Sequence, residues 1–300
     1  MSEKREYYKH LVVITFPAEK VSDYGFALQS FIENWPKEVK CVALVENANK
    51  LKNLEADNLT ILDFDECVGF DVLNFESRNA WRGISDFSTV GDITKQAAKF
   101  ARKVFAQLYV LENYNFDFLH YIDSDLQTVH KLTIEEVSTY AVSDSLVSCF
   151  PRWWLKEKVN LCDLHIGFTE TGYIIWNKNH PAFLEWIEHY KSCYLDDKIF
   201  DFKQWHDCIA FDYATLVCEN KYSNVTRDLS NGIKSKHPIV ESCMGKYFDH
   251  MKGSRKFKGR SLERTRAHGQ GFDKLFSTII LFTLEKAKTF KHMVKLGVIK

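Results

Sequence analysis

The chain lacks an excess of charge of either sign, a long apolar run, closely spaced cysteine pairs and the usual glycine signatures of nucleotide binding. Its 40 basic residues balance 40 acidic ones over 300 positions. With 45% hydrophobic and 27% charged residues it also lacks the composition of a disordered chain. The longest apolar stretch near the end, Phe276 to Leu284, is broken by Ser277 and Thr283. It falls far short of the roughly 20 residues of a membrane span. The opening MSEKREYYKH has no apolar core, so no secretory leader is visible and a cytoplasmic protein is expected. The 8 cysteines are scattered with no Cys-x-x-Cys, which favours reduced thiols over a disulfide framework or a zinc knuckle. No P-loop, Ser/His/Asp elbow, Rossmann glycine fingerprint, repeat or low-complexity linker is present. A chain of this length is long enough for one large core with a small appendage.

The balanced total hides an asymmetry. Residues 251–300 carry a net charge of +10 and residues 1–250 a net charge of −10. A basic C-terminal sixth on an acidic body suggests an anionic partner, whether phosphates, nucleic acid or a lipid surface, or else a solvated helix face attracted to the body itself. No obligate protein partner is visible.

Short apolar runs alternate with helical periodicity. Strands are predicted over His10–Phe16, Val39–Val45, Leu59–Leu62, Phe116–Ile122, Leu146–Phe150 and Gly172–Trp176. Helices are predicted over Tyr24–Asn34, from an Asp92 cap through Ile93 to Leu111, from the Thr133–Glu136 capping box to Ala141, over Pro181–Tyr194, over Lys203–Cys218 and over Gly271–Leu296. Residues 66–91 show no clear period and read as a surface excursion. The alternation predicts an α/β fold with a largely parallel, Rossmann-like sheet and helices on both faces. Ligands then bind beyond the carboxyl ends of the strands, which points to Thr15 and Phe16, to the stretch after Leu62 and to Asp123 and Asp125.

Asp123-Ser-Asp125 follows a strand, where residues i and i+2 face the same way and two carboxylates can share one hard cation. Asp63-Phe-Asp65 has the same form, and a chance pair in a turn is the alternative for each. Lys95, Lys99 and Arg102 fall on one helix face and suit a diphosphate, or simply water. His250-Met-Lys-Gly-Ser-Arg-Lys256 supplies an imidazole, a flexible glycine and a lysine.

Tyr121-Ile-Asp-Ser-Asp125, Thr171-Gly-Tyr-Ile-Ile-Trp-Asn177 and the His-x-x-Gly-x-x-Lys at 250–256, in that order, resemble the GT-A glycosyltransferases, family 8 above all. That resemblance covers roughly residues 10–260. It implies a GT-A type fold, a retaining transfer from a UDP-sugar, and a Mn2+ (or Mg2+) ion held by Asp123, Asp125 and His250. It places Gly253 and Lys256 at the diphosphate and lets Asp123 also reach the ribose. Glu170-Thr171-Gly172 stands where the family has Asn-Ala-Gly, and Phe257-Lys258 where it has Pro-Trp. These departures fall around the acceptor and the leaving-group lid.

On this reading residues 1–260 form the nucleotide-sugar transferase domain and 261–300 a basic helical extension packed on it. Thr15, Phe16, Lys95, Arg102, Asp123, Gly253 and Lys256 are the expected donor-binding residues. Asp207 and Glu170 are the candidates near the anomeric carbon, with Trp153, Trp154 and Trp205 at the acceptor cleft. Arg255, Lys256, Lys258, Arg260, Arg264 and Arg266 crowd beside the leaving-group site. They suggest an acceptor in hydroxymethylated DNA, as for bacteriophage DNA glycosyltransferases. The rival is peripheral membrane contact with transfer to a surface glycan, for which Phe276, Ile279, Ile280, Phe282 and Leu284 suit docking or, equally, a packed helix. A nucleotidyltransferase and a non-catalytic nucleic-acid-binding protein are the other readings. The first is weakened by the absence of glycine from Phe16-Pro-Ala-Glu-Lys20, and the second leaves the acidic and histidine motifs unexplained.

Overall fold

The computed structural model describes residues 6–51, 54–84, 95–252 and 261–284, with 272 and 276 excepted and only the backbone of 21–23. In chain order the elements begin β1 (Tyr7–Pro17), α1 (Val21–Asn34), β2 (Lys40–Glu46), β3 (Leu59–Asp63), α2 (Phe64–Asn79), α3 (Ala97–Asn113) and β4 (Asn115–Ile122). They continue with β5 (Leu126–Thr128), α4 (Ile134–Tyr140), β6 (Val147–Pro151), a single-turn α5 (Trp153–Lys156), β7 (Thr169–Asn177) and α6 (Phe183–Leu195). The last are α7 (Asp207–Glu219), β8 (Thr226–Asp228), α8 (Pro238–Glu241), β9 (Phe248–His250) and α9 (Leu262–His268). Within 271–284 the described residues are helical.

Seven strands form one mixed sheet in the order β3-β2-β1-β4-β7-β6-β8. Pairing is parallel from β3 through β4 and between β6 and β8, and antiparallel where β7 meets β4 and β6. β5 and β9 make a separate antiparallel pair. The apolar runs of β1 and β2 arise because both sheet faces are covered. Leu11, Val13, Val42 and Leu44 pack with α2, α3, α6 and α7, while Val12, Ile14, Cys41 and Ala43 pack with α1 and α4. The α/β expectation and its strands hold to within a few residues. The Thr133 capping box is present with both of its hydrogen bonds. All 8 cysteines are free.

Four expectations change. Of the surface excursion expected over 66–91, residues 66–79 are instead helical, since 64–79 form α2, and 85–91 lie outside the described residues. Its buried Phe64, Val68, Val72 and Phe75 are helically spaced, but the exposed Phe70 and Leu73 obscure the period. Asp63 of the second acidic motif is spent as the α2 N-cap, accepting hydrogen bonds from the amides of Asp65 (3.0 Å) and Glu66 (3.3 Å). Trp153 and Trp154 sit on a helical turn rather than in a loop. The predicted Lys203 helix begins at Asp207, because His206 is extended. The proposed Asp92 cap and Ile93 lie outside the described residues.

α9 packs on α8. The Arg266 guanidinium pairs with Glu241, and His268 Nε2 lies 2.9 Å from the Ser242 carbonyl. Beyond it Ile279, Phe282 and Leu284 are exposed, so the packed-helix reading of those residues is not what the structure shows. Among the described residues no helix is long and apolar enough to cross a membrane.

Candidate active site

β4 delivers its chain to the carboxyl edge of the sheet, and Tyr121 and Ile122 bury the strand end. The Asp123 amide donates to the Gly172 carbonyl (2.9 Å) and the Leu126 amide to the Asp123 carbonyl (2.8 Å). Asp123 and Asp125 therefore sit in a turn, not on the strand as the i, i+2 argument required. Tertiary pairing brings the third group. Leu126 of β5 pairs with His250 of β9, and the Met251 amide donates to the Asp125 carbonyl (2.7 Å). His250 Nε2 then lies 3.0 Å from Asp125 Oδ1.

One ligand atom from each of Asp123, Asp125 and His250 falls within 4.8 Å of the others. Two carboxylate oxygens and an imidazole nitrogen suit Mn2+, and the carboxylates alone suit Mg2+. Gly172 makes room for the ring: a Cβ there would stand 2.6 Å from His250 Cε1. The donor set and this cradle fit a divalent cation.

A cation from α3 faces the same cluster. Lys103 Nζ lies 2.6 Å from Asp207 Oδ2 and 3.5 Å from Asp123 Oδ2, and it donates to the Thr171 carbonyl at 3.2 Å. Thr171 Oγ1 donates to Asp207 Oδ2 (2.6 Å), and the Tyr121 hydroxyl donates to Asp123 Oδ1 (3.1 Å). Burial works to raise the Asp207 carboxyl, but the Lys103 charge and the hydrogen bonds from Lys103 and Thr171 outweigh it and hold the group below its ordinary value. Asp207 is thus an ionised carboxylate inside the site, not only a helix-dipole partner.

Glu170 is likewise charged. Lys252 Nζ reaches its Oε1 and Oε2 at 2.6 and 2.7 Å, and Arg152 Nη2 reaches Oε2 at 2.5 Å. Burial pushes this carboxyl up, yet Lys252, His250 and Arg152 together hold it well below the usual carboxylate range. Both oxygens are occupied.

The expected basic face does not converge here. Lys95 donates to the Lys203 carbonyl (2.9 Å) and lies over the Trp205 ring, while Arg102 pairs with Glu76 (2.8 Å). Lys99 lies beside Phe100. Lys103, four residues after Lys99 and so on its face, is the group sequence reasoning missed. Thr15 stands level with Asp123, since Val13 pairs with Tyr121, but the Phe16 side chain is buried in the core. Trp153 is partly exposed with its Nε1 donating to Asp228 (2.7 Å), and Trp205 donates to the Phe202 carbonyl (3.0 Å). Arg264 Nε donates to the Gly245 carbonyl (2.8 Å), so Arg264 and Arg266 are both held within the chain. Gly253, Arg255, Lys256, Lys258 and Arg260 lie outside the described residues.

His206, Asp207 and Cys208 form a second close group. It is ill suited to a cation, because it sits at the positive end of the α7 dipole with Lys103 already on Asp207. Burial pushes the Cys208 thiol up to about 12, so it is not a nucleophile near neutral pH.

No family profile and no curated protein matches the chain. Among solved structures it is similar to the apo form of the bifunctional glycosyltransferase WbbM, at 16% identity and a TM-score of 0.41 over 75% of this chain and 39% of that one. It is similar to mouse xyloside xylosyltransferase 1 at 12% identity and a TM-score of 0.42 over 75% and 85% of the two chains. The galactosyltransferase LgtC with donor and acceptor sugar analogues gives 12%, 0.42, and 68% and 69%. All three are glycosyltransferases by their descriptions.

Proposed function

We propose that the protein is a divalent-metal-dependent glycosyltransferase of GT-A type that takes a UDP-sugar donor. The observation that carries this reading is the convergence of Asp123, Asp125 and His250 at the end of β4, with Lys103, Asp207 and Glu170 around them. Asp123, Asp125 and His250 would hold Mn2+ (or Mg2+). When bound, the cation supplies charge neutralisation for a departing diphosphate. Lys103 adds a fixed positive charge beside it, and Asp207, kept ionised by Lys103 and Thr171, would act near the donor sugar through the Lys103 charge it holds in place. Gly253 and Lys256 are assigned to the diphosphate by the resemblance of their motif to the GT-A family 8 pattern. We assign the transferase unit to residues 1–260 and a basic extension to 261–300, of which α9 packs against α8 through Arg266 and His268.

For the acceptor, the proposal of a hydroxymethylated base in DNA rests on Arg255, Lys256, Lys258 and Arg260 once Arg264 and Arg266 are engaged internally. Transfer to hydroxymethylated duplex DNA, run beside saccharide acceptors and liposome pelleting, decides between that acceptor and a surface glycan. The donor half needs no acceptor. A panel of UDP-sugars with Mn2+ should show slow release of UDP from one of them. Undiminished release in excess EDTA overturns the metal reading, and no release from any donor overturns the UDP-sugar reading.

A further inference from the structure

We propose that Glu170 is a positioning residue: through Lys252 it latches the end of β9 across β7 and so holds His250 against Asp125. This rests on Asp123, Asp125 and His250 being a metal centre.

Among the described residues β9 is three residues long and pairs with the equally short β5, a ladder that the Met251 amide on the Asp125 carbonyl (2.7 Å) continues by one bond. So short a ladder leaves the direction of its last side chain weakly fixed, and side-chain ties must supply the rest. They come from β7, where Glu170 and Gly172 are two residues apart and therefore share a face. Glu170 takes the Lys252 ammonium on both oxygens, at 2.6 and 2.7 Å. Gly172 receives the His250 ring, which a Cβ would meet at 2.6 Å. Glu170 with Lys252 and Gly172 with His250 thus match two residues for two, running in opposite directions. The anchor itself is rigid. Glu170 pairs with Phe150 in the sheet, is 4% exposed, and is held from behind by Arg152 at 2.5 Å. With both oxygens engaged it is no proton acceptor.

The test is Mn2+ affinity without nucleotide, read by electron paramagnetic resonance of free Mn2+, for the parent chain and for Lys252→Met, Glu170→Gln, their double and Lys252→Arg. Lys252→Met leaves Glu170 paired with Arg152, so it keeps the fold if Glu170→Gln does not. Each single change should weaken Mn2+ about tenfold or more, as for other residues that orient a metal ligand. The double should be no worse than the weaker single, because both remove one interaction. Lys252→Arg should stay near the parent. Lys252→Met binding Mn2+ like a metal-binding parent overturns the latch alone. A parent that binds no Mn2+ overturns the metal centre and the latch with it.

Discussion

Lys103 Nζ lies 2.6 Å from Asp207 Oδ2, joining α3 to the first residue of α7 through an ion pair whose side chains are 11% and 4% exposed. The pair stands directly behind Asp123, so the charge of the candidate metal cluster and the packing of two helices depend on one ammonium.

Lys103→Met should therefore be costly in two ways. Among the described residues it leaves the buried Asp207 carboxylate with the Thr171 hydroxyl as its hydrogen-bond donor, a loss of about 3–5 kcal/mol for a broken buried pair. Thermal unfolding measures that loss. UDP release should fall as well, and a variant with parental stability and turnover would remove Lys103 from the site.

Asp125→Asn should behave oppositely. Asp123 and Asp125 repel one another without a cation, so the change should alter stability by less than about 1 kcal/mol while Mn2+ binding and turnover are lost. Calorimetric titration with Mn2+ and a urea melt of the same sample check both halves. Unchanged Mn2+ binding moves the centre elsewhere.

Gly172→Ala tests the cradle. The added Cβ would meet His250 Cε1 at 2.6 Å and Ile239 Cδ1 at 3.1 Å, so the imidazole must move. An overpacking cost of about 1–3 kcal/mol is expected, together with weaker Mn2+ binding. Mn2+ affinity equal to the parent would show that His250 is not a ligand.

Asp212 gives a pH prediction. Burial pushes its carboxyl up to about 7, against hydrogen bonds from Thr169 and the amides of Phe168 and Thr169. Between the unfolded value near 3.8 and the folded value near 7, the native chain holds a proton that the unfolded chain gives up. This group's contribution is therefore largest at low pH, falls as pH rises through that window, and levels off above it. Asp212→Asn removes the dependence and keeps an acceptor for the Phe168 amide, which lies 2.6 Å from Oδ2. The stability of the variant relative to the parent should rise by on the order of 2–4 kcal/mol between pH 4 and pH 8. Urea melts at both pH values decide it, and a pH-independent difference between the two proteins would rule out the raised carboxyl.

The sequence by itself determined the local elements and the half of the site that lies at a strand end. Residues such as Val12 and Val13, or Cys41 and Val42, are apolar on alternate faces because the sheet is covered twice, and that run is readable without coordinates. Asp123-Ser-Asp125 is readable for the same reason, since the apolar strand before it must end at the sheet edge. Tertiary structure alone decided which charges meet. His250 is 125 positions from Asp125, and β5 and β9 are too short to carry a sequence signal. Lys103 and Arg102 are neighbours on α3, yet the 100° step between them sends one to Asp207 and Asp123 and the other to Glu76. Which of them served the site depended on where α7 and β7 packed. Packing is set by the whole core, whereas a strand and the turn after it are set by their own few residues.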